Sequence, residues 1–278
     1  MGTLLALFTA IAICSVPTLQ DTKTEKVKVM TYNIRYGTAR DGENAWPNRK
    51  EALFAQVREE LPDVLGLQEA LSSQLEEFRT RFPEYEILGV GRDNGIDKGE
   101  FSPLLIKRGV FGVLAMGTQW ISAEPNKIGS KGPGANLPRI FTWAKLQHKS
   151  GKTLVVVNTH LDHESPEARL LGAKLISEFG DTQGAPKVVM GDFNCEPSDA
   201  PVKKMVESGY TLLRDSSAKI TFTGFKAELT EGAIIDHIFV KGNLSAGGSR
   251  VGFKTYVDSK GVKRTPSDHY PVIAEINL

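Results

Sequence analysis

Excess charge of either sign is missing from this chain: its 278 residues carry 34 Lys and Arg against 33 Asp and Glu, a formal net charge of +1. Proteins dedicated to long nucleic acids usually show a basic excess, because neutralising phosphates supplies much of the affinity. A local basic patch is compatible with these totals, but they give that class no support. Cysteine is nearly absent too. Of the two, Cys14 lies in an apolar N-terminal run and Cys195 stands alone beyond it, so the rest of the chain can form no internal disulfide. A chain of this length can rely on its core instead. No repeat, low-complexity tract or long linker divides the sequence, which favours one domain. No glycine-rich phosphate loop follows the first predicted strand, which argues against a nucleotide-binding Rossmann or P-loop fold.

Long hydrophobic runs are also missing. The longest, Leu4 to Cys14, is too short for a comfortable membrane span and suits a signal-peptide core. Ala10-Ile11-Ala12 offers a small-x-small cleavage site, although Met1-Gly2-Thr3 brings no Lys or Arg. A buried N-terminal strand or an uncleaved anchor is the competing reading. The expectation is a signal peptide over residues 1–20, one domain over residues 21–278, and export to the periplasm or extracellular space. No stable membrane insertion after leader removal and no protein partner are implied.

What is present is ordinary globular material, 40% apolar and 24% charged, enough for a large core. Val27 to Ile34 alternates like a strand, Pro47 to Glu60 repeats at helical spacing, and Asp63 to Glu69 reads as a second strand. A helix over Ser72 to Arg81 follows. The middle is strand-rich (Tyr85–Val90, Ser102–Lys107, Val110–Trp120, Ile140–His148, Lys152–Thr159), with a long exposed loop over Ser122–Pro138. Ser165-Pro166 opens a helix whose apolar stripe is read as Ala168, Leu171, Leu175 and Phe179. A strand at Lys187–Met190, a helix near Asp199–Ser208, a strand at Ala233–Val240 and two C-terminal strands complete an α/β protein with mixed sheets.

Polar groups collect where these strands stop: Asn33, Glu69, Asn158 and His160, Asp192 and Asn194, Asp236 and His237, Asp268 and His269. Singly, each has a bland reading as turn former, cap or structural histidine. Their recurrence at six such places points instead to a cleft at one edge of a rigid sheet. An Asp and an Asn two apart share a face if the chain stays extended, so Asp192 and Asn194 are expected side by side, suited to orienting water against a phosphoryl group. Cys195, with no His in register, reads as a packing residue.

Thr31-Tyr32-Asn33, Leu67-Gln68-Glu69, Asn158-Thr159-His160-Leu161, Gly191-Asp192-Phe193-Asn194, Ile235-Asp236-His237-Ile238-Phe239 and Ser267-Asp268-His269 occur in the order of the endonuclease/exonuclease/phosphatase superfamily, which the chain resembles from about Val27 to Leu278. The resemblance implies a four-layer α/β sandwich, two mixed β-sheets packed face to face with helices outside, and a phosphoesterase site at one edge. It implies Glu69 as principal ligand of Mg²⁺ (or Mn²⁺), with Asn33 and Asp268 beside it, oxygen donors suited to such ions. It pairs His269 with Asp236, sets Asp192 and Asn194 against the attacking water and a phosphate oxygen, and puts His160 on the phosphoryl group, with Glu100 as a further partner for His160. Which of Asp192, His160 and His269 moves the proton stays open.

The leading expectation is a metal-dependent hydrolase cleaving phosphodiester bonds by in-line attack of an activated water, its substrate a phosphoester with nucleic acid among the candidates. A phosphomonoesterase or lipid-headgroup phosphodiesterase using the same site is the second reading, and a catalytically inactive binding module the third. Segments resembling the inositol 5-phosphatases and abasic-site endonucleases are missing around Asp236. Asn33 through Trp46 resembles exported bacterial members; its charges and Trp46 are candidates for the cleft wall, with an ordinary exposed loop the preferred reading.

Overall fold

The computed structural model describes residues 24–278; the expected leader, residues 1–20, lies outside the described residues. Two six-stranded sheets dominate. In the first, β11 (Ser245–Val251), β14 (Val272–Asn277), β1 (Lys26–Asn33), β2 (Val64–Gln68), β4 (Leu104–Lys107) and β3 (Tyr85–Leu88) lie in that order. In the second the order is β5 (Phe111–Trp120), β6 (Ile140–His148), β7 (Thr153–His160), β8 (Lys187–Asp192), β10 (Asp236–Lys241) and β9 (Thr211–Leu213). Each sheet has one parallel pair, at its centre: β1 with β2 and β7 with β8. All other pairs are antiparallel. A parallel connection needs a crossover, supplied by α1 (Trp46–Glu60) in the first sheet and α3 (Pro166–Asp181) in the second.

Strand parity builds the layers. Alternate residues face opposite sides of a strand, so Val27 and Val29 of β1 pack between the sheets with Leu154, Val156, Val188, Met190 and Ile238. The intervening Met30 and Tyr32 face outward onto Leu53, Phe54 and Val57 of α1 and Leu75 and Phe78 of α2 (Ser72–Arg81). Val155, Val157 and Val189 face outward from the second sheet onto Ala173 and Ile176 of α3 and Val202 and Met205 of α4 (Ala200–Glu207). The result is the expected four-layer sandwich.

The same parity continues to the strand ends. Asn33 shares the inner face with Val27 and Val29; His160 shares it with Leu154 and Val156, and Asp192 with Val188 and Met190. The space between the sheets is therefore apolar at one end and polar at the other. Asn158 crosses it, donating through Nδ2 to Leu67 O at 2.7 Å and Pro103 O at 2.8 Å, while Gln68 Nε2 donates to Asn158 Oδ1 at 2.6 Å. A Cβ on Gly66 would lie 2.7 Å from Asn158 Oδ1, so that crossing requires glycine. Asn158 is thus a tie between sheets.

Several sequence expectations shift. The buried stripe of α3 is Ala168, Gly172, Ala173, Ile176, Ser177 and Gly180; Leu171, Leu175 and Phe179 are only partly buried beside it. Small residues let the helix lie close to the sheet. Trp46 sits in the core, 6% exposed, with Nε1 donating to Glu77 Oε1 at 2.8 Å, and not in an exposed loop. The strand expected from Ala233 begins only at Asp236. Strands β9, β11 and the small pair β12 (Tyr256–Val257) and β13 (Lys263–Arg264) extend the C-terminal part beyond the two strands expected there.

Candidate active site

The C-terminal ends of the four central parallel strands meet at one edge, the place where open α/β sheets present loops to a ligand. A cleft of about 450 Å³ opens there. Of the residues expected in the site, Glu69, Glu100, His160, Asp192, Asn194, Asp268 and His269 line it. Asn33 and Asp236 lie directly behind, fully buried, and hold lining residues. Cys195 is buried in the core beside α4, and burial pushes its thiol up to about 12.

Asp192 is the hub. Its Oδ2 accepts from Asn33 Nδ2 at 3.0 Å and lies 3.5 Å from His160 Nε2 and 3.7 Å from His269 Nε2. Its Oδ1 accepts from the backbone N–H of Asn194 at 2.8 Å. Asp192 and Asn194 are not side by side on an extended strand, as the sequence suggested. Asn194 turns into the left-handed region at φ 48°, and its Nδ2 donates to Leu161 O at 3.0 Å. Asparagine tolerates this conformation because its short side chain bonds locally. Just before, a Cβ at Gly191 would lie 2.1 Å from Thr159 O at φ 152°, so glycine lets β8 close against β7.

His269 Nδ1 meets Asp236 Oδ2 at 2.9 Å, across from one sheet to the other. Burial alone would lower this imidazole, but Asp236, with Asp192 behind it, raises it to about 10. Burial, reinforced by Asp236, raises Asp192 to about 7. His160 goes the other way: burial and then the nearby Arg139 and Arg92 hold it well below the ordinary histidine value. One cleft thus holds a cationic and a neutral imidazole on either side of one carboxylate. Glu100 is placed as expected, 3.7 Å from His160 Nδ1, although that exceeds a hydrogen bond. It is clamped by Arg92 at 2.8 and 3.0 Å.

In metal-free protein the His269 nitrogens should titrate near pH 10, and in Asp236→Asn the titration should fall by at least one unit. A folded value above the ordinary 6.5 contributes stability that is complete below about pH 6.5 and is lost as pH rises through about 10. Histidine NMR of chelator-treated protein reads this directly; an unchanged titration in the variant would remove Asp236 as the cause.

Glu69 and Asp268 form the opposite wall. Glu69 follows β2 with φ 59°, and such strain in a non-glycine residue clusters at functional sites. Its Oε1 accepts from Asn33 Nδ2 at 3.0 Å and its Oε2 from Tyr36 N at 3.1 Å. Arg35 lies between the two carboxylates, 3.9 Å from Glu69 and 3.8 Å from Asp268, while Asp41 binds its other edge at 3.0 and 3.1 Å. Among the described residues no hydrogen bond reaches Asp268 Oδ2. Two hard oxygen donors therefore face one space with spare capacity, which fits a small divalent cation. Asn33, expected beside the metal, has its Oδ1 accepting from Arg35 N at 2.9 Å and its Nδ2 donating to both Glu69 and Asp192, so in this arrangement it positions the two carboxylates. Asp192, Asp236 and His269 also approach one another closely enough to hold an ion, which would have to displace the proton from His269.

Four cleft residues escaped the sequence reading, His163 among them. Arg139, 4% exposed just before β6, has Nη2 2.8 Å from His163 Nδ1, Nε 3.4 Å from Asp162, and Nη1 without a hydrogen-bond partner among the described residues. Leu137 and Phe222 line the cleft as exposed apolar groups. No local pattern marks any of them; their value comes only from where the loops bring them.

Two packed mixed sheets with a carboxylate- and imidazole-lined cleft at the strand ends define a phosphoesterase-type scaffold. The chain belongs to the Endonuclease/Exonuclease/phosphatase family, which its residues 30–269 match. It is similar to a family protein from Bacteroides thetaiotaomicron, with 31% identity, TM-score 0.86, and 92% of this chain and 99% of that one covered. It is also similar to a mannosyl-6-phosphatase from the same organism, with 32% identity, TM-score 0.84, and 91% and 100% covered. TDP2 of D. rerio, crystallised with a single-strand DNA product, shares the fold at 16% identity and TM-score 0.71, over 91% and 99% of the two chains. No curated protein matches the chain in sequence. Among the described residues no helix is long and apolar enough to cross a membrane.

Proposed function

We propose that this protein is a metal-dependent phosphoesterase hydrolysing a small phosphate ester by direct attack of water on phosphorus. The observation that carries this reading is the placement of Asp192 between a neutral and a cationic imidazole, facing two hard carboxylates across one cleft. Asp192, held by Asn33 and the Asn194 N–H, takes a proton from the attacking water as the new O–P bond forms. His269, kept cationic by Asp236, donates to the non-bridging oxygens; His160 offers its N–H on the other side, with Glu100 behind it. The ester P–O bond breaks and the departing alkoxide recovers the proton taken by Asp192. A divalent cation such as Mg²⁺ or Mn²⁺, held by Glu69 and Asp268, would neutralise charge on the phosphoryl oxygens. A protein that only binds has no need of this coupled set.

The sequence put phosphodiesters first; likeness to a mannosyl-6-phosphatase over 91% of the chain favours a phosphomonoester. Hydrolysis of p-nitrophenyl phosphate and bis(p-nitrophenyl) phosphate, with Mg²⁺ or Mn²⁺ and with chelator, separates the two. Turnover should vanish with chelator, and Glu69→Ala should lose at least ~100-fold in kcat/KM, the scale of an electrostatic catalytic group. Turnover indifferent to chelator and to Glu69, or none on these or on any sugar, nucleoside or glycerol phosphate, would sink the reading. Export through the N-terminal leader remains part of the proposal, supported by the sequence of residues 1–20.

A further inference from the structure

From the position of Phe222 we infer that the substrate's alcohol part carries a ring, and that this ring stacks on the Phe222 side chain beside the reacting phosphate. The inference rests on the phosphoesterase reading and deepens it. The cleft's reacting groups are buried and polar, yet two large apolar side chains stand exposed on its wall, Phe222 and Leu137, each 39% accessible. The other cleft aromatic, Tyr36, has its ring engaged by the Arg35 guanidinium at 4.8 Å. Phe222 is thus the aromatic surface left for a ligand.

It is also fixed. Phe222 forms bridges with both Ala233 and His269, and its N–H donates to Ala233 O at 3.1 Å. Its neighbours are tied to the segment carrying the reacting groups: Thr223 N donates to Asp268 O and Tyr270 N to Thr221 O, both at 2.7 Å. The ring sits 4.9 Å from the His269 imidazole, tilted by 58°. An alcohol bonded through oxygen to a phosphorus beside His269 therefore lies within reach of this ring. A rigid aromatic offers contact area at little conformational cost. The chemistry it suits is a flat or weakly polar ring face, such as a pyranose next to the ester or a nucleobase carried one sugar further out. An acyclic alcohol such as glycerol gains little there.

The test compares kcat/KM for hexose 6-phosphate, nucleoside 5′-monophosphate and glycerol phosphate in wild type, Phe222→Leu and Phe222→Trp. Wild type should prefer a ring-bearing ester. Phe222→Leu, which keeps bulk over His269, should lower kcat/KM for that ester roughly 5- to 150-fold through KM, the range of one stacked ring, and erase the preference over glycerol phosphate. Phe222→Trp should restore it. Which ring ester loses more identifies the sugar or the base as occupant, and either supports the inference. Equal losses on all three esters, meaning that Phe222 acts only through His269, would overturn it, as would a wild type active on all three without preference. A wild type inactive on every ester and on both p-nitrophenyl substrates would overturn the phosphoesterase reading itself, and this inference with it.

Discussion

Asp192→Asn should fold normally and lose at least ~100-fold in kcat, with KM changed far less. Asparagine keeps the shape and one acceptor oxygen, enough for the Asn194 N–H, while its amide nitrogen replaces the oxygen that met Asn33; one of the two bonds and the proton acceptor are lost together. A loss confined to kcat marks an interaction made only in the transition state. Stability supplies an independent check. Burial and Asp236 raise Asp192 to about 7 in the folded protein. A raised carboxyl costs stability as pH climbs from its ordinary value near 4 through about 7, because the unfolded chain ionises more readily. Removing it lifts that cost, so Asp192→Asn at pH 8 should melt no lower than wild type, in the usual pattern of a site that trades stability for activity. A variant that melts well below wild type, or keeps most of its kcat, would show that Asp192 is structural.

Arg49→Met should be the most damaging change away from the reacting groups. Arg49 is 1% exposed and has no carboxylate partner at hydrogen-bond distance. It donates instead to four carbonyls: Asn44 O at 2.9 Å, Ile34 O at 2.9 Å, Pro266 O at 3.0 Å and Arg35 O at 3.0 Å. Burial depresses even this guanidinium, yet the carbonyls and the rings of Trp46 and Phe225, at 5.1 and 5.5 Å, make the position tenable. Arg35 O keeps a second donor, Gln74 Nε2 at 3.1 Å, so methionine would leave three acceptors without donors, each costing about 1–3 kcal/mol when buried. A loss of at least about 3 kcal/mol is expected, against a typical total of about 5–15, read as a fall of roughly 6–12 °C in Tm. Activity should fall with it, because Arg49 joins the Asn33–Arg35 turn to the segment leading into Asp268. Denaturant unfolding within 1 kcal/mol of wild type would contradict this account.

Much of this architecture was legible in the sequence because period and parity are local. The α2 helix and β6 have the bounds expected of them, and the polar strand ends converge where their order suggested. What stayed hidden depends on partners distant in sequence. Ser245-Ala-Gly-Gly-Ser-Arg-Val has little strand character of its own and becomes β11 by pairing with β14 through a bulge. The face of α3 was misjudged because glycine and serine, not leucine, let it approach the sheet. That Asn33 joins Glu69 to Asp192 through its amide nitrogen likewise depends on partners far away in the chain. Arg139 and Phe222 belong to loops, where composition says nothing about the side chain's neighbours.

Two of the bonds that set up the chemistry, Asn33 to Asp192 and His269 to Asp236, each run from one sheet to the other. The cleft is consequently a seam. The sheets are held in mutual alignment by hydrophobic contact along most of their length, but at this edge the fastening is a handful of polar bonds, and on the proposed reading the same bonds prepare the carboxylate and the imidazole for reaction. A slip that parts the sheets here would disarm the protein before its core is exposed, and an anion lodged between His269 and His160 would act as a stitch across the gap. Catalytic competence and the alignment of the two sheets are, in this molecule, a single property.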